Sequence, residues 1–285
     1  MTEIELAGQD VPVVEAHGAR MPVLGFGTWE LEGEAAEEMT AVALEAGYRH
    51  IDTAQAYGNE AEVGRALARA DVPRDQVFLT TKIWPDDYAP DRFAGAVDER
   101  LELLGVDRVD LLLLHWPVFR DTTLVRTLRL LERAREEGKT RHIGVSNFTT
   151  DQMARARAAV DAPLVTNQVE YHPFLDQTPV LEAVREAEMC LTAYSPLAHG
   201  EAVGHPALEQ IGERYGVDAP VVALRWLLQQ ERVAAIPRTS DPDHARDNLR
   251  ALGIELTDGE MREISSLARP DGRVIDPGGL APDWD

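Results

Sequence analysis

Four polar side chains stand where a run of apolar strands has no packing use for them: Asp52, Tyr57, Lys82 and His115. Asp52 ends a short apolar run and is followed by Tyr57 in AQAYGNE, Lys82 lies inside TTKIW, and His115 ends LLLLH. Singly, the aspartate reads as a helix cap and the tyrosine as a packing aromatic. Together, at the ends of three successive strands, they suit carbonyl reduction. Hydride addition to C=O builds negative charge on oxygen, which needs a proton. A free phenol, with a pKa near ~10, is a sluggish donor at neutral pH. A neighbouring ammonium stabilises the phenolate and is expected to draw that pKa towards the working range. A buried lysine loses its own proton unless a carboxylate such as Asp52 keeps it charged and aimed, and His115 can polarise the carbonyl oxygen by a hydrogen bond. Lys82 stands out for another reason. The chain has 28 Lys and Arg, of which only Lys82 and Lys139 are lysines. A lysine kept at the end of an apolar strand points to a use for a compact, tunable ammonium.

The elements that would bring these groups together are legible as alternating β-type runs and amphipathic helices. Strands are expected at 24–29, 50–54, 78–83, 110–115, 142–147, 165–171, 191–196 and 234–239. Several are nearly continuous in apolar residues, as parallel strands covered on both faces are. Helical stretches at 91–104, 123–137 and 219–230 place their apolar residues on one face. Thr150 and Asp151 precede a further helix, and Gly105 and Gly138 follow two others. Eight such units predict an α/β chain folded as one (β/α)8 barrel domain over 1–285. The alternative is an open doubly wound sheet. It should begin with G-x-G-x-x-G, but Gly25 and Gly27 supply only half of that and Glu30 takes the third position. Residues 1–23, with turn signals at Gly8 and Gly18, read as an N-terminal hairpin. Residues 269–285, rich in Pro and Gly, read as a C-terminal tail over the barrel.

Composition excludes several classes. The 285 residues are 44% hydrophobic and 27% charged, which suits a packed domain and not a disordered chain. Fifty acidic against 28 basic residues give a formal charge of −22, which repels phosphate backbones and anionic lipids, so neither nucleic acid nor a membrane is an expected partner. A GC-rich genome accounts for the Arg-for-Lys exchange but not for the excess of carboxylates. That excess suits a high-salt cytoplasm, where the Debye length falls to ~3 Å at about 1 M and self-repulsion is nearly silenced. Cys190 is the only cysteine, and it suits an inert buried thiol in a reducing, cytoplasmic setting. MTEIELAGQD lacks the apolar core of a signal peptide. His199 and His205 flank a Gly-rich loop without metal-ligand spacing, so no metal is expected.

Read as motifs, GFGTW, YRHIDTAQAYGNE, TTKIW, LLLLHWP, RHIGVSNF, TNQVEYHP and AYSPLAHG resemble those of the aldo-keto reductases over nearly the whole chain. The tail GLAPDWD resembles that of the short bacterial 2,5-diketo-gluconate and methylglyoxal reductases. The resemblance implies Tyr57 as general acid, with Asp52, Lys82 and His115 as its partners. It implies an NAD(P)H cofactor. Ser146, Asn147 and Gln168 would hold its carboxamide, Tyr194 would stack on its nicotinamide ring, and Ser195 and Leu197 would touch its pyrophosphate. Arg238, Thr239, His244 and Asn248 would surround its adenosine end. Trp29, Trp84, Trp116 and Phe119, which as isolated aromatics read as core, become walls of the substrate pocket. The implied activity is reduction of aldehydes, α-ketoaldehydes and keto-sugars by a monomer, and an arginine-rich rim would also admit anionic substrates. Where NADPH-preferring relatives commonly carry Lys and Arg, this chain has Arg238 and His244, so NADPH is expected with NADH also accepted. The rival from another class is a non-catalytic cofactor-binding sensor on the same barrel. Loss of one of the four polar residues would have marked it, and all four are present.

Overall fold

The computed structural model describes residues 2–6 and 9–285. Eight parallel strands form the barrel in chain order: β4 (Phe26–Gly27), β5 (His50–Asp52), β6 (Phe78–Ile83), β7 (Val109–Leu114), β8 (Thr140–Ser146), β9 (Leu164–Glu170), β10 (Cys190–Tyr194) and β11 (Val233–Ala235). Backbone bonds close it between first and last strands: Gly25 N to Ala235 O (2.8 Å), Gly27 N to Pro237 O (2.9 Å) and Ala235 N to Val23 O (2.8 Å). This seam explains the two glycines. A Cβ on Gly25 would lie 2.7 Å from the His50 ring, and one on Gly27 would lie 2.9 Å from the Ile236 carbonyl. They serve close packing at the barrel seam, not a phosphate loop.

Every residue of β6 and β7 is buried, as their apolar runs require. The covering helices are α1 (Gly33–Ala46), α2 (Glu60–Arg69), α3 (Phe93–Leu104), α4 (Leu124–Glu136), α5 (Thr150–Arg157), α6 (Thr178–Glu186), α7 (Pro206–Tyr215), α8 (Ala219–Leu228), α9 (Pro242–Asn248) and α10 (Asp258–Ser265). Thr123 caps α4, and Gly105 ends α3 in the left-handed conformation. The cap of α5 is Thr149, one residue before the expected Thr150, because Gln152 falls where it can return a bond to the Thr149 N–H in a capping box. The expected hairpin is larger than it read: β1 (Thr2–Leu6) adds to β2 (Gln9–Ala16) and β3 (Ala19–Pro22) in an antiparallel sheet. His17 and Gly18, both at positive φ, make its second turn, whereas Gly8 lies outside the described residues. Among the described residues no helix is long and apolar enough to cross a membrane.

Candidate active site

The strand ends converge at one rim. Asp52 ends β5, Lys82 is the fifth residue of β6, and His115 follows β7 with its N–H still on the ladder, donating to Ile83 O (3.1 Å). Tyr57 is carried on a one-turn helix, Gln55–Tyr57, which Gly58 closes at φ 64°. Two side chains fix that turn. Gln55 accepts from Trp84 N (2.8 Å), and Asn59, fully buried, donates to Thr28 O (2.7 Å) and Leu31 O (2.9 Å) while accepting from Thr53 Oγ1 (2.8 Å).

Lys82 has no exposed side-chain surface, and its three donors are all engaged: by Asp52 Oδ1, by Thr53 O at 3.0 Å and by Tyr57 Oη at 3.1 Å. Asp52 Oδ2 accepts from Gln168 Nε2 (2.8 Å). Burial pulls the Lys82 ammonium down, but Asp52 with Tyr57 more than offsets it and holds the group above its ordinary lysine value. The His115 ring meets Tyr57 edge-on at 5.8 Å. Burial and the Lys82 charge both press it well below the usual imidazole range, so it is neutral at pH 7. Its Nδ1 is buried and has no hydrogen-bond partner among the described residues. For Tyr57 the expected balance is reversed. Burial is the largest effect and raises the phenol above its ordinary value, with Lys82 pulling against it. The proton is therefore held on Tyr57 Oη at neutral pH, beside an ammonium ready to stabilise the charge its loss would leave.

Tyr57 and His115 line a cleft of about 1640 Å3 that extends across the rim to Asn248 on α9. Ser146, Gln168, Tyr194, Ser195, Leu197, Arg238, Thr239 and His244 line the same cleft, as do Trp29, Trp84 and Trp116. Lys82 stands behind Tyr57 and does not line it, and neither do two of the residues expected to hold cofactor or substrate. Phe119 packs against Tyr88 (5.8 Å) and Phe148 (6.4 Å), set back among aromatic side chains. Asn147, buried at φ 64°, turns its amide inward: Nδ2 donates to His115 O (2.9 Å) and Oδ1 accepts from Tyr194 Oη (2.7 Å). The expected arginine-rich rim is also absent from the cleft. Arg120 pairs with Asp86 (2.8 Å) and Arg92 with Asp121 (3.0 Å), and among the described residues Arg238 is the only Arg or Lys lining it.

The tail contributes what the sequence did not announce. Glu170, buried at the end of β9, accepts from Val274 N (2.7 Å), Ile275 N (2.9 Å) and His172 Nε2 (2.9 Å). This carboxylate lays residues 274–277 along the cleft. Trp284 then packs edge-on to Trp116 at 6.3 Å, under the Arg273 guanidinium (3.7 Å). An acid at a strand end was the available signal for Glu170, as it was for Asp52, but its partners are backbone N–H groups that no side-chain pattern reveals. His199 packs on Trp29 (5.3 Å) and His205 on Phe174 (5.1 Å).

The family model described as Aldo/keto reductase family matches residues 23–269. An aldo-keto reductase of Mycobacterium sp. (strain JLS) is 38% identical over 253 residues, covering 88% of this chain and 90% of that protein. Methylglyoxal reductase DkgB of Escherichia coli O157:H7 is 37% identical over 267 residues, covering 93% and 99%. A crystal structure of a protein assigned as a 2,5-diketo-D-gluconic acid reductase B superposes with a TM-score of 0.95 at 48% identity, covering 96% of this chain and 98% of that one. With a barrel whose strand ends gather Asp52, Tyr57, Lys82 and His115 at one cleft, the chain belongs to the aldo/keto reductase family.

Proposed function

We propose that the protein reduces aldehydes and ketones with NAD(P)H, taking small polar carbonyls such as α-ketoaldehydes and keto-sugars, as a monomer in the cytoplasm. The observation that carries this reading is the 3.1 Å hydrogen bond between Tyr57 Oη and Lys82 Nζ beside the cleft, with the ammonium held by Asp52. When bound, the nicotinamide supplies a hydride to the carbonyl carbon. Tyr57 gives its phenolic proton to the carbonyl oxygen, Lys82 stabilises the phenolate left behind, and neutral His115 orients the carbonyl. The names of the relatives, methylglyoxal reductase and 2,5-diketo-D-gluconic acid reductase B, support a small, oxygen-rich carbonyl substrate.

The cleft fits a dinucleotide in size and in chemistry. It offers the Ser146 hydroxyl, the Gln168 amide and the Tyr194 ring near Tyr57, then the Ser195–Leu197 backbone, then Arg238, Thr239, His244 and Asn248. Asn147 would act here by fixing Tyr194. NADPH is the expected cofactor, with NADH also accepted. Arg238 is already engaged, donating to Trp29 O (2.9 Å) and Glu30 O (3.0 Å), with the Glu30 carboxylate 3.6 Å away, and Asp247 lines the same end. A dianionic 2′-phosphate meets one occupied guanidinium and nearby carboxylates, so the margin for NADPH is narrow. Titration of either dinucleotide is expected to quench tryptophan fluorescence, because Trp29, Trp84 and Trp116 line the cleft. His244→Arg should tighten NADPH over NADH by about tenfold at low salt, equivalent to ~1.4 kcal/mol. Absence of quenching by both would overturn the reductase reading. An unchanged ratio would show that His244 does not face the phosphate.

The charge of −22 supports a high-salt cytoplasm, and the expected consequence is a protein stabilised by salt. Below about 0.2 M the Debye length exceeds ~7 Å and carboxylate repulsion loosens the fold. The melting temperature and activity should therefore rise with KCl towards molar concentrations. A melting temperature flat from about 0.1 to 3 M would reject the adaptation.

A further inference from the structure

We infer that Asn59 is the positioning residue that sets Tyr57 Oη against Lys82 Nζ, by tying the turn that carries the tyrosine to the strand ends that carry Asp52 and receive the lysine; this rests on the carbonyl-reductase reading above. Lys82 is fixed by the ladder, because β6 pairs with β5 on one side and β7 on the other. Tyr57 has no such support. Its turn, Gln55–Tyr57, has three residues, none of them fully buried, and begins without a side-chain cap. Two backbone bonds close it, from Tyr57 N to Ala54 O (3.0 Å) and from Gly58 N to Gln55 O (3.3 Å). A single turn of this kind makes few bonds of its own, so the distance between phenol and ammonium depends on what holds the turn from outside.

Asn59 supplies that hold. It is 1% exposed and stands two residues past Tyr57, where its carbonyl accepts from Val63 N (3.1 Å) at the start of α2. Its amide makes three bonds. Nδ2 gives both hydrogens, to Thr28 O (2.7 Å) and Leu31 O (2.9 Å), and Oδ1 accepts from Thr53 Oγ1 (2.8 Å). Two of these partners are themselves joined to the acid–base group. Thr28, just after β4, donates to Asp52 O through its N–H (3.0 Å) and its hydroxyl (3.1 Å). Thr53, just after β5, donates its N–H to Thr80 O (3.0 Å) on β6, and its carbonyl accepts from Lys82 Nζ (3.0 Å). Asparagine offers two N–H donors and an acceptor on a short stem, whereas aspartate would set a carboxylate oxygen against the Thr28 and Leu31 carbonyl oxygens. The amide makes these bonds within the protein and does not line the cleft, so Asn59 acts on the reaction through Tyr57. Helix α2 is also held by the Glu60–Arg100 pair (2.6 Å) and by buried Val63 and Ala66, so the barrel does not depend on this amide alone.

Asn59→Ala is expected to lower the single-turnover rate with prebound NADPH by about 30-fold, while dinucleotide affinity, read by tryptophan quenching, changes by less than about threefold. Affinity is spared because Arg238 still holds the loop after β4 at Trp29 O and Glu30 O. The deciding readout is the same substitution in the Tyr57→Phe background, at a temperature where circular dichroism shows every variant folded. There it should cost less than about threefold, because no hydroxyl is left to misplace; a residue that only supports the barrel would cost the same factor in both backgrounds. Thr53→Val is the milder variant should Asn59→Ala fail to fold. It removes the bond from Thr53 Oγ1 to Asn59 Oδ1 and keeps the carbonyl that holds Lys82. It should lower the rate about fivefold in the parent and less than about twofold in the Tyr57→Phe background. An Asn59→Ala loss smaller than about threefold, or equal losses in both backgrounds for whichever variant folds, overturns the inference while leaving the reductase reading intact. No quenching by NADPH or NADH, or a Tyr57→Phe variant as active as the parent, overturns the reductase reading itself and this inference with it.

Discussion

Tyr57→Phe is expected to lower kcat by at least ~10²-fold, with dinucleotide affinity changed by less than a factor of two. The substitution keeps the ring and its edge-on contact with His115 at 5.8 Å, and removes only the hydroxyl bonded to Lys82 at 3.1 Å. If Tyr57 is the proton donor, hydride transfer is left to build an alkoxide that nothing nearby protonates. One buried Lys82 donor also loses its acceptor, which costs about 1–3 kcal/mol of stability. The expected pattern is a modest fall in melting temperature, unchanged fluorescence quenching by NADPH, and a rate near background. Single-turnover measurement with the cofactor prebound isolates the chemical step. Activity within a factor of three of the parent would remove Tyr57 from the acid role. The pH profile gives a second reading. Burial holds the phenol above its ordinary value and Asp52 holds Lys82 above its own, while His115 is neutral. Reduction by the parent should therefore show no loss from these three groups between pH 6 and 9, the ordinary phenol and lysine values lying near ~10.

The parts of this site that were legible in the sequence are those whose signal is local. Lys82 was visible as the one charged residue of β6, and His115 because it follows the LLLL run that ends β7, and a parallel barrel puts such ends at one rim. Gly25 and Gly27 were readable as failing a phosphate loop, but their use at the seam depends on Ile236, more than two hundred residues away. A separation of 104 residues likewise hid Glu170. Its carboxylate is satisfied by the backbone of Val274 and Ile275, which any residue types could supply. One helix, α8, was expected between β10 and β11, but α7 precedes it; Pro206 at its first position was the available signal. Phe119 and Asn147 show the limit of motif matching. Both stand where the family pattern leads one to expect cleft residues, yet local packing turns Phe119 onto Tyr88 and Phe148 and turns the Asn147 amide onto Tyr194 and His115. The direction of the Tyr57 shift was likewise out of reach, because it depends on how completely the ring is buried and not on which charges are near it.

Lys82→Met is expected to abolish activity as thoroughly as Tyr57→Phe and, unlike it, to destabilise the fold severely. The reason lies in the burial of the pair. Asp52 is 1% exposed, and without the ammonium its carboxylate keeps Gln168 Nε2 but no compensating charge. Removing one partner of a buried ion pair typically costs about 3–5 kcal/mol, because the other charge is left in a poorly polarisable interior. For a chain of this size that corresponds to a fall in melting temperature of roughly 10 °C. Adding Asp52→Asn removes the orphaned charge, keeps an amide of the same shape opposite Gln168, and should restore most of the lost stability. It should restore none of the activity, since the double variant has no cation to stabilise the Tyr57 phenolate. This separation decides between a pair kept for the barrel and a pair kept for chemistry. A structural pair replaced by neutral side chains of similar volume is nearly neutral for folding and leaves function untouched. A pair that tunes Tyr57 leaves a well-folded, inactive protein. The pH dependence of stability adds an independent check. Because Asp52 holds the Lys82 pKa above the ordinary lysine value, the stability this gives is fully present below about pH 10 and is lost as pH rises through the higher folded value. That alkaline loss should disappear in the double variant. If the double variant regains both stability and turnover, Lys82 is a core residue and the proton-transfer assignment of Tyr57 loses its support.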